Sequence, residues 1–63
     1  MKIIVNGSSR EIRSGTTLLD LLQSFRDQNS LVVGELNGQV PADENVALSE
    51  GDHIEIVTFV GGG

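Results

Sequence analysis

One amphipathic stretch set between two Asn-Gly pairs leaves this chain very few ways to fold. Leu18, Leu21, Leu22 and Phe25 recur at helical spacing and form a single apolar stripe. Asp20, Gln23, Ser24, Asp27 and Gln28 fall outside it. Thr17 ahead of Leu18-Leu19-Asp20 reads as a capping box, with Asp20 also favoured by the positive end of the helix dipole. The helix is expected from near Leu18 to near Arg26, about three turns, and to end at Asp27-Gln28-Asn29-Ser30. Asn6-Gly7 lies before this stretch and Asn37-Gly38 after it. Each is a strong hairpin signal, because both residue types tolerate positive φ.

The strands follow from these fixed points. Lys2 to Asn6 is apolar and β-branched, with Ile3 and Val5 on one face and Lys2, Ile4 and Asn6 on the other. Ser8 and Ser9 are expected to widen the first loop, leaving Arg10-Glu11-Ile12-Arg13 as the return strand. Leu31 to Asn37 is the next strand, followed by a short one at Gln39-Val40 that Pro41 ends for want of an amide donor. Ala42 to Ser49 reads as a surface connection anchored by Val46 and Leu48, and Glu50-Gly51-Asp52 as a turn. The last strand, His53 to Val60, points Ile54 and Ile56 one way and Glu55, Val57 and Phe59 the other. Two hairpins flanking one helix pack most economically as a mixed sheet over that helix, with the first and last strands parallel at its centre. This is an α+β fold, the ubiquitin-like β-grasp, ββαββ with a short extra strand. Its expected core is Ile3, Val5, Ile12, Leu18, Leu21, Leu22, Phe25, Val32, Leu36, Leu48, Ile54 and Ile56.

Size limits the chemistry. A chain of 63 residues buries only about 60% of the surface it exposes unfolded, enough for one small core and no enclosed cleft. The sequence has no cysteine, which excludes disulfides, thiolate metal sites and a cysteine nucleophile. No apolar run is long enough for a signal peptide or a membrane span, so a cytoplasmic protein is expected. The net charge is −5, with Lys2, Arg10, Arg13 and Arg26 the basic residues. Scattered cations outnumbered by acids argue against nucleic-acid binding, whereas an acidic surface suits a partner with a basic docking face.

The sequence closes on Val57-Thr58-Phe59-Val60-Gly61-Gly62-Gly63. The expected organisation is a domain over 1–60 and a flexible glycine tail over 61–63. Glycine offers thinness and backbone freedom, and three extended residues reach about 10 Å. That would carry the carboxylate of Gly63 into a narrow slot in another protein, with Gly61 and Gly62 as the thread. A frayed end is the plainer reading of the same run. Val57, Phe59 and Val60, with Val33, are candidates for an exposed apolar docking patch beside the tail. The alternative is that Phe59 folds back over the sheet edge. His53, the single histidine, reads as a solvated strand-start residue. Glu50 and Asp52 read as turn residues, and Asp20 as a helix-start charge.

Several pieces together carry a resemblance. They are Met1-Lys2-Ile3-Ile4-Val5-Asn6-Gly7, the helix start from Thr17 to Leu22, Glu35-Leu36-Asn37-Gly38, Glu50-Gly51-Asp52, and Ile54-Glu55-Ile56-Val57 running into Phe59-Val60-Gly61-Gly62-Gly63. In this order and at this length the chain resembles the ubiquitin-like sulfur carriers of thiamin biosynthesis, the ThiS family. It departs in a shorter Gln39-to-Val46 segment without an aromatic residue, and in Gly34, where the family usually has a larger apolar residue. The resemblance implies that a ubiquitin-activating-like enzyme uses ATP to adenylate Gly63, and that a persulfide protein then delivers sulfur. The resulting thiocarboxylate would serve a thiazole synthase. On this reading the chain binds no cofactor or metal and is a substrate and carrier, not an enzyme. A molybdopterin-type carrier, a ubiquitin-like interaction module or protein modifier, and a plain binding domain with an inert tail remain open.

Overall fold

The computed structural model describes residues 1–26 and 30–60, the side chains of Ser30 and Val60 excepted. Its elements are β1 (Lys2–Val5), β2 (Ser8–Glu11), α1 (Leu18–Gln23), β3 (Ser30–Leu36) and β4 (His53–Val60). The strands form one sheet in the order β2-β1-β4-β3, with β1 and β4 parallel and both outer pairings antiparallel. This mixed sheet with one helix is the β-grasp arrangement expected. No helix among the described residues is long and apolar enough to cross a membrane.

Both Asn-Gly pairs turn the chain with positive φ, Asn6 at 49° with Gly7 at 84° and Asn37 at 51° with Gly38 at 86°. These are the angles a two-residue hairpin turn demands. Such a turn needs no extra residues, so Ser8 and Ser9 do not widen the loop. They pair with Val5 and Ile4 as the start of β2, and the return strand begins two residues earlier than the alternation suggests. The second turn closes on one bridge, Leu36 with Gln39. The expected short strand at Gln39-Val40 is reduced to that rung, since Pro41 follows at once.

α1 starts as its sequence dictates. The Asp20 amide donates to Thr17 Oγ1 at 3.1 Å and the Thr17 amide to Asp20 Oδ2 at 3.0 Å, a reciprocal capping box. The Leu18 and Leu19 amides donate to the carbonyls of Val46 (2.9 Å) and Glu44 (2.8 Å), so the connection before β4 satisfies the first turn. The helix is shorter than the stripe implies. Ser24 Oγ donates back to the Leu21 carbonyl at 2.7 Å, and the amides of Ser24, Phe25 and Arg26 bond three residues back. A serine hydroxyl that competes for a helix carbonyl favours such a tightened end. Phe25 lies beyond the last α-turn and is 37% exposed, so it is not the core residue expected; Arg10's guanidinium stands 6.0 Å from its ring centroid. Of the expected helix stop, Asp27, Gln28 and Asn29 lie outside the described residues.

The core is Ile3, Val5, Leu18, Leu21, Leu22, Val32, Leu48 and Ile54, with Ile12, Leu36, Val46 and Ile56 packed partly buried against it. Gly34 is buried in the middle of β3, directly beneath α1. A Cβ there would lie 2.9 Å from Leu22 Cδ2 and 3.4 Å from Leu18 Cδ1. Leu22 thus fills the volume that a larger residue at position 34 would claim. Past the helix, Arg26 holds Glu44 through two bonds, Nη1 to Oε1 at 2.9 Å and Nη2 to Oε2 at 2.8 Å, while Nη2 also reaches the Val32 carbonyl at 3.0 Å. The hydrogen bonds from Arg26 draw Glu44 below the ordinary carboxylate pKa.

Two consequences are measurable. Gly34→Val should lower stability by about 1–3 kcal/mol through overpacking. Pairing it with Leu22→Val should cost less than the sum of the two single changes in thermal or urea denaturation. For Glu44, the folded pKa is the lower one, so its stabilisation is complete above the unfolded value and fades as pH falls through the folded value. Glu44→Gln should therefore melt below the unchanged chain at neutral pH, with the gap closing in acid; a gap constant with pH would exclude the ion pair as its cause.

Candidate functional site on the last strand

β4 organises the apolar surface that the sequence singled out. Its alternation places Ile54 and Ile56 toward α1 and leaves Glu55, Val57 and Phe59 on the outer face of the sheet. Opposite them on β3 stand Glu35, Val33 and Leu31, in the register Glu35↔Glu55, Val33↔Val57 and Leu31↔Phe59. The outer face is therefore graded along the strands. Two apolar pairs lie toward Val60, and a pair of carboxylate-bearing residues lies further back.

The apolar pairs are open to solvent. Phe59 is 54% exposed, Val57 42% and Leu31 64%, while Val33 is half-buried between its neighbours. Phe59 does not fold back over the sheet edge. The structure thus brings together Val33, Val57 and Phe59 of the expected patch. Val60 ends β4 opposite Ser30, and its side chain lies outside the described residues. Leu31, the most exposed member, is placed by the sequence on this strand but not in the patch; it lies two residues from Val33 and so must share its face. Like charges directly across a strand pair are unfavourable, so Glu35 and Glu55 form an acidic margin that suits a basic surface.

The remaining candidates serve the backbone. Glu50 Oε1 accepts from the Lys2 amide at 2.9 Å. Asp52 accepts from the Ser49 amide at 2.7 Å and from Asn37 Nδ2 at 3.0 Å, while Asn37 Oδ1 accepts from the His53 amide at 2.9 Å. These contacts tie both turns to the start of β4. Asp20 is occupied by the helix cap. Among the described residues there is no pocket and no group of three potential metal-ligating side chains. Gly61, Gly62 and Gly63 lie outside the described residues, immediately after β4.

Comparison with known proteins gives the chain's relatives. The ThiS family model matches residues 3–63. The sulfur carrier protein ThiS of Bacillus subtilis is 40% identical over 63 residues, covering 94% of this chain and 96% of that protein. An uncharacterised protein, ycf40, of Trieres chinensis is 39% identical over 62 residues, covering 94% of this chain and 85% of its own length. A thiazole synthase of Paramagnetospirillum magneticum is 33% identical over 66 residues, matching all of this chain to 20% of the enzyme. The chain thus spans a fifth of that synthase and most of the other two proteins.

Proposed function

This chain belongs to the ThiS family, and we propose that it is a cytoplasmic sulfur carrier whose Gly63 carboxyl group is the loading point. A carboxylate is a poor electrophile. Attack of its oxygen on the α-phosphorus of ATP, catalysed by a ubiquitin-activating-like enzyme, releases pyrophosphate and leaves an acyl-adenylate. The outer sulfur of a persulfide protein then attacks the acyl carbon and AMP departs. A thiol cleaves the remaining sulfur–sulfur bond, and the thiocarboxylate is free to give its sulfur to a thiazole synthase. ATP is consumed by the partner, and this chain holds no cofactor of its own.

The observation that carries the reading is the graded outer face of β4, whose exposed apolar pairs run up to the residues adjoining Gly61-Gly62-Gly63. A partner docked on Leu31, Val57 and Phe59 receives the glycines beside its own active site. Glycine at 62 and 63 keeps the thread narrow, so that a pocket can close on the reacting carbon and exclude water. The thiazole synthase among the relatives favours thiazole formation over molybdopterin as the destination.

The test is to incubate the chain with ATP, its activating enzyme and a persulfide donor, then weigh it intact and map its terminal peptide. One sulfur-for-oxygen exchange at Gly63 is expected. An amide to a lysine would instead make it a protein modifier, and no adenylate at all would leave a binding domain with an inert tail. Gly62→Ala or Gly63→Ala should slow adenylation sharply while leaving the melting temperature unchanged. Phe59→Ala and Leu31→Ala should weaken binding of the activating enzyme about tenfold or more, as loss of a central apolar anchor does. Exposed as they are, both should shift stability by only about 0.5 kcal/mol. Equal losses of binding and melting temperature would instead assign these side chains to folding.

A further inference from the structure

β4 outruns its central neighbour. The parallel ladder between β1 and β4 covers Ile4↔His53 and Val5↔Ile54. It is carried by the Ile4 amide to the Asp52 carbonyl and the Asn6 amide to the Ile54 carbonyl, both at 2.9 Å. The next rung calls for the main-chain carbonyl of Asn6, but the chain turns away there with φ 49°. The Asn6 side chain takes its place, and the Ile56 amide donates to Asn6 Oδ1 at 2.7 Å. β1 then leaves the sheet while β4 continues to Val60.

On its other side β4 is accompanied to the end, as far as Ser30↔Val60. The phase of that pairing is fixed by the Asn37 amide, which donates to the His53 carbonyl at 2.8 Å. Residues 55, 57 and 59 of β4 therefore bond toward β3, and Ile54, Ile56 and Thr58 turn their amides and carbonyls toward the β1 side. On that side no group among the described residues bonds the Thr58 amide or carbonyl. Thr58 is exposed. Asn6 thus closes a ladder and opens a lane one strand wide beside Thr58.

We propose that an extended segment of the adenylating enzyme enters this lane as an added strand, accepting from the Thr58 amide and donating to the Thr58 carbonyl. The proposal rests on the carrier reading above. The occupant follows from continuity, because the lane flanks the last residues before Gly61-Gly62-Gly63, and an enzyme acting on Gly63 must pass alongside it. Glycine imposes little direction on a chain, so a reproducible position for Gly63 requires a grip on the last side-chain-bearing residues. β3 already occupies one edge of those residues, and Thr58 offers the other. The Asn6-Gly7 turn blocks the lane behind, so the segment is short, about three residues along the strand. Its side chains on the outer face would neighbour Val57 and Phe59 and should be apolar, and its donor position cannot be proline.

The test uses Thr58→Pro. Proline removes the amide that faces the lane and fills it with a ring, yet spares the bonds to β3, which belong to Val57 and Phe59. Thr58→Ala keeps the amide and serves as the control. Thr58→Pro should lower kcat/KM for adenylation about tenfold or more, with Thr58→Ala within about twofold and both variants folded. In the unchanged chain, hydrogen exchange at the Thr58 amide should slow on addition of the activating enzyme. If the unchanged chain is adenylated but Thr58→Pro matches it, or Thr58 exchange does not slow, the added strand is wrong and the carrier reading stands. If the unchanged chain neither binds nor is adenylated, the carrier reading fails and takes this occupant with it.

Discussion

The seating of α1 on Gly34 is the contact on which the rest of the molecule depends. A helix of six residues has no appreciable stability by itself in water, where nucleation alone outweighs so few propagated bonds. α1 persists because its three leucines are buried in the core, with Leu18 and Leu22 seated where β3 has no side chain. Its ends are then fixed from outside. The carbonyls of Glu44 and Val46 receive the first-turn amides, and Arg26 bonds Glu44 and the Val32 carbonyl just past the last turn. Helix, connection and edge strand therefore hold one another, and the short Gln39-to-Val46 segment is long enough because it needs only to bridge these contacts.

The same economy governs the exit of the chain. A parallel pair at the centre of the sheet gives β4 a buried inner face at Ile54 and a partly buried one at Ile56. After Asn6 the support on that side ends, and the outer face changes from acidic to apolar along the strand. A surface that becomes less polar toward Val60 is unfavourable for an isolated protein and useful to one that spends part of its time covered.

The architecture was legible because its determinants are local. Asn-Gly at 6–7 and 37–38 fixes two turns through φ alone, Thr17 and Asp20 fix the helix start, and strand parity assigns Ile54 and Val57 to opposite faces. What escaped depends on tertiary contacts or competing local bonds. Ser24's back-bond shortens the helix and leaves Phe25 outside the core, although its spacing continues the stripe. Gly34 stands out in the sequence as a departure from the larger apolar residue usual there, and the fold shows Leu22 filling that space. Asn6 was legible as a turn residue, but its second task, receiving the Ile56 amide from fifty residues away, exists only in the folded chain. At the candidate site Val33, Val57 and Phe59 were within reach of parity, and so was Leu31, had the same rule been carried two residues back.

Size then decides where chemistry can sit. One small core occupies the interior of a domain this short, and its members are all apolar. A reactive acyl group needs exclusion of water and groups aimed at its transition state, and neither can be built inside such a core. In the proposed carrier role, the reacting carbon is therefore carried outward to an enclosure that another protein provides. This sheet supports that division through rigidity at the root: β4 is bonded on both sides up to Ile56 and on one side beyond it. Beyond Ile56 the main-chain groups of Thr58 lack the internal bond that a partner can make, so the loss of self-sufficiency along β4 and the capacity to be gripped are the same structural fact.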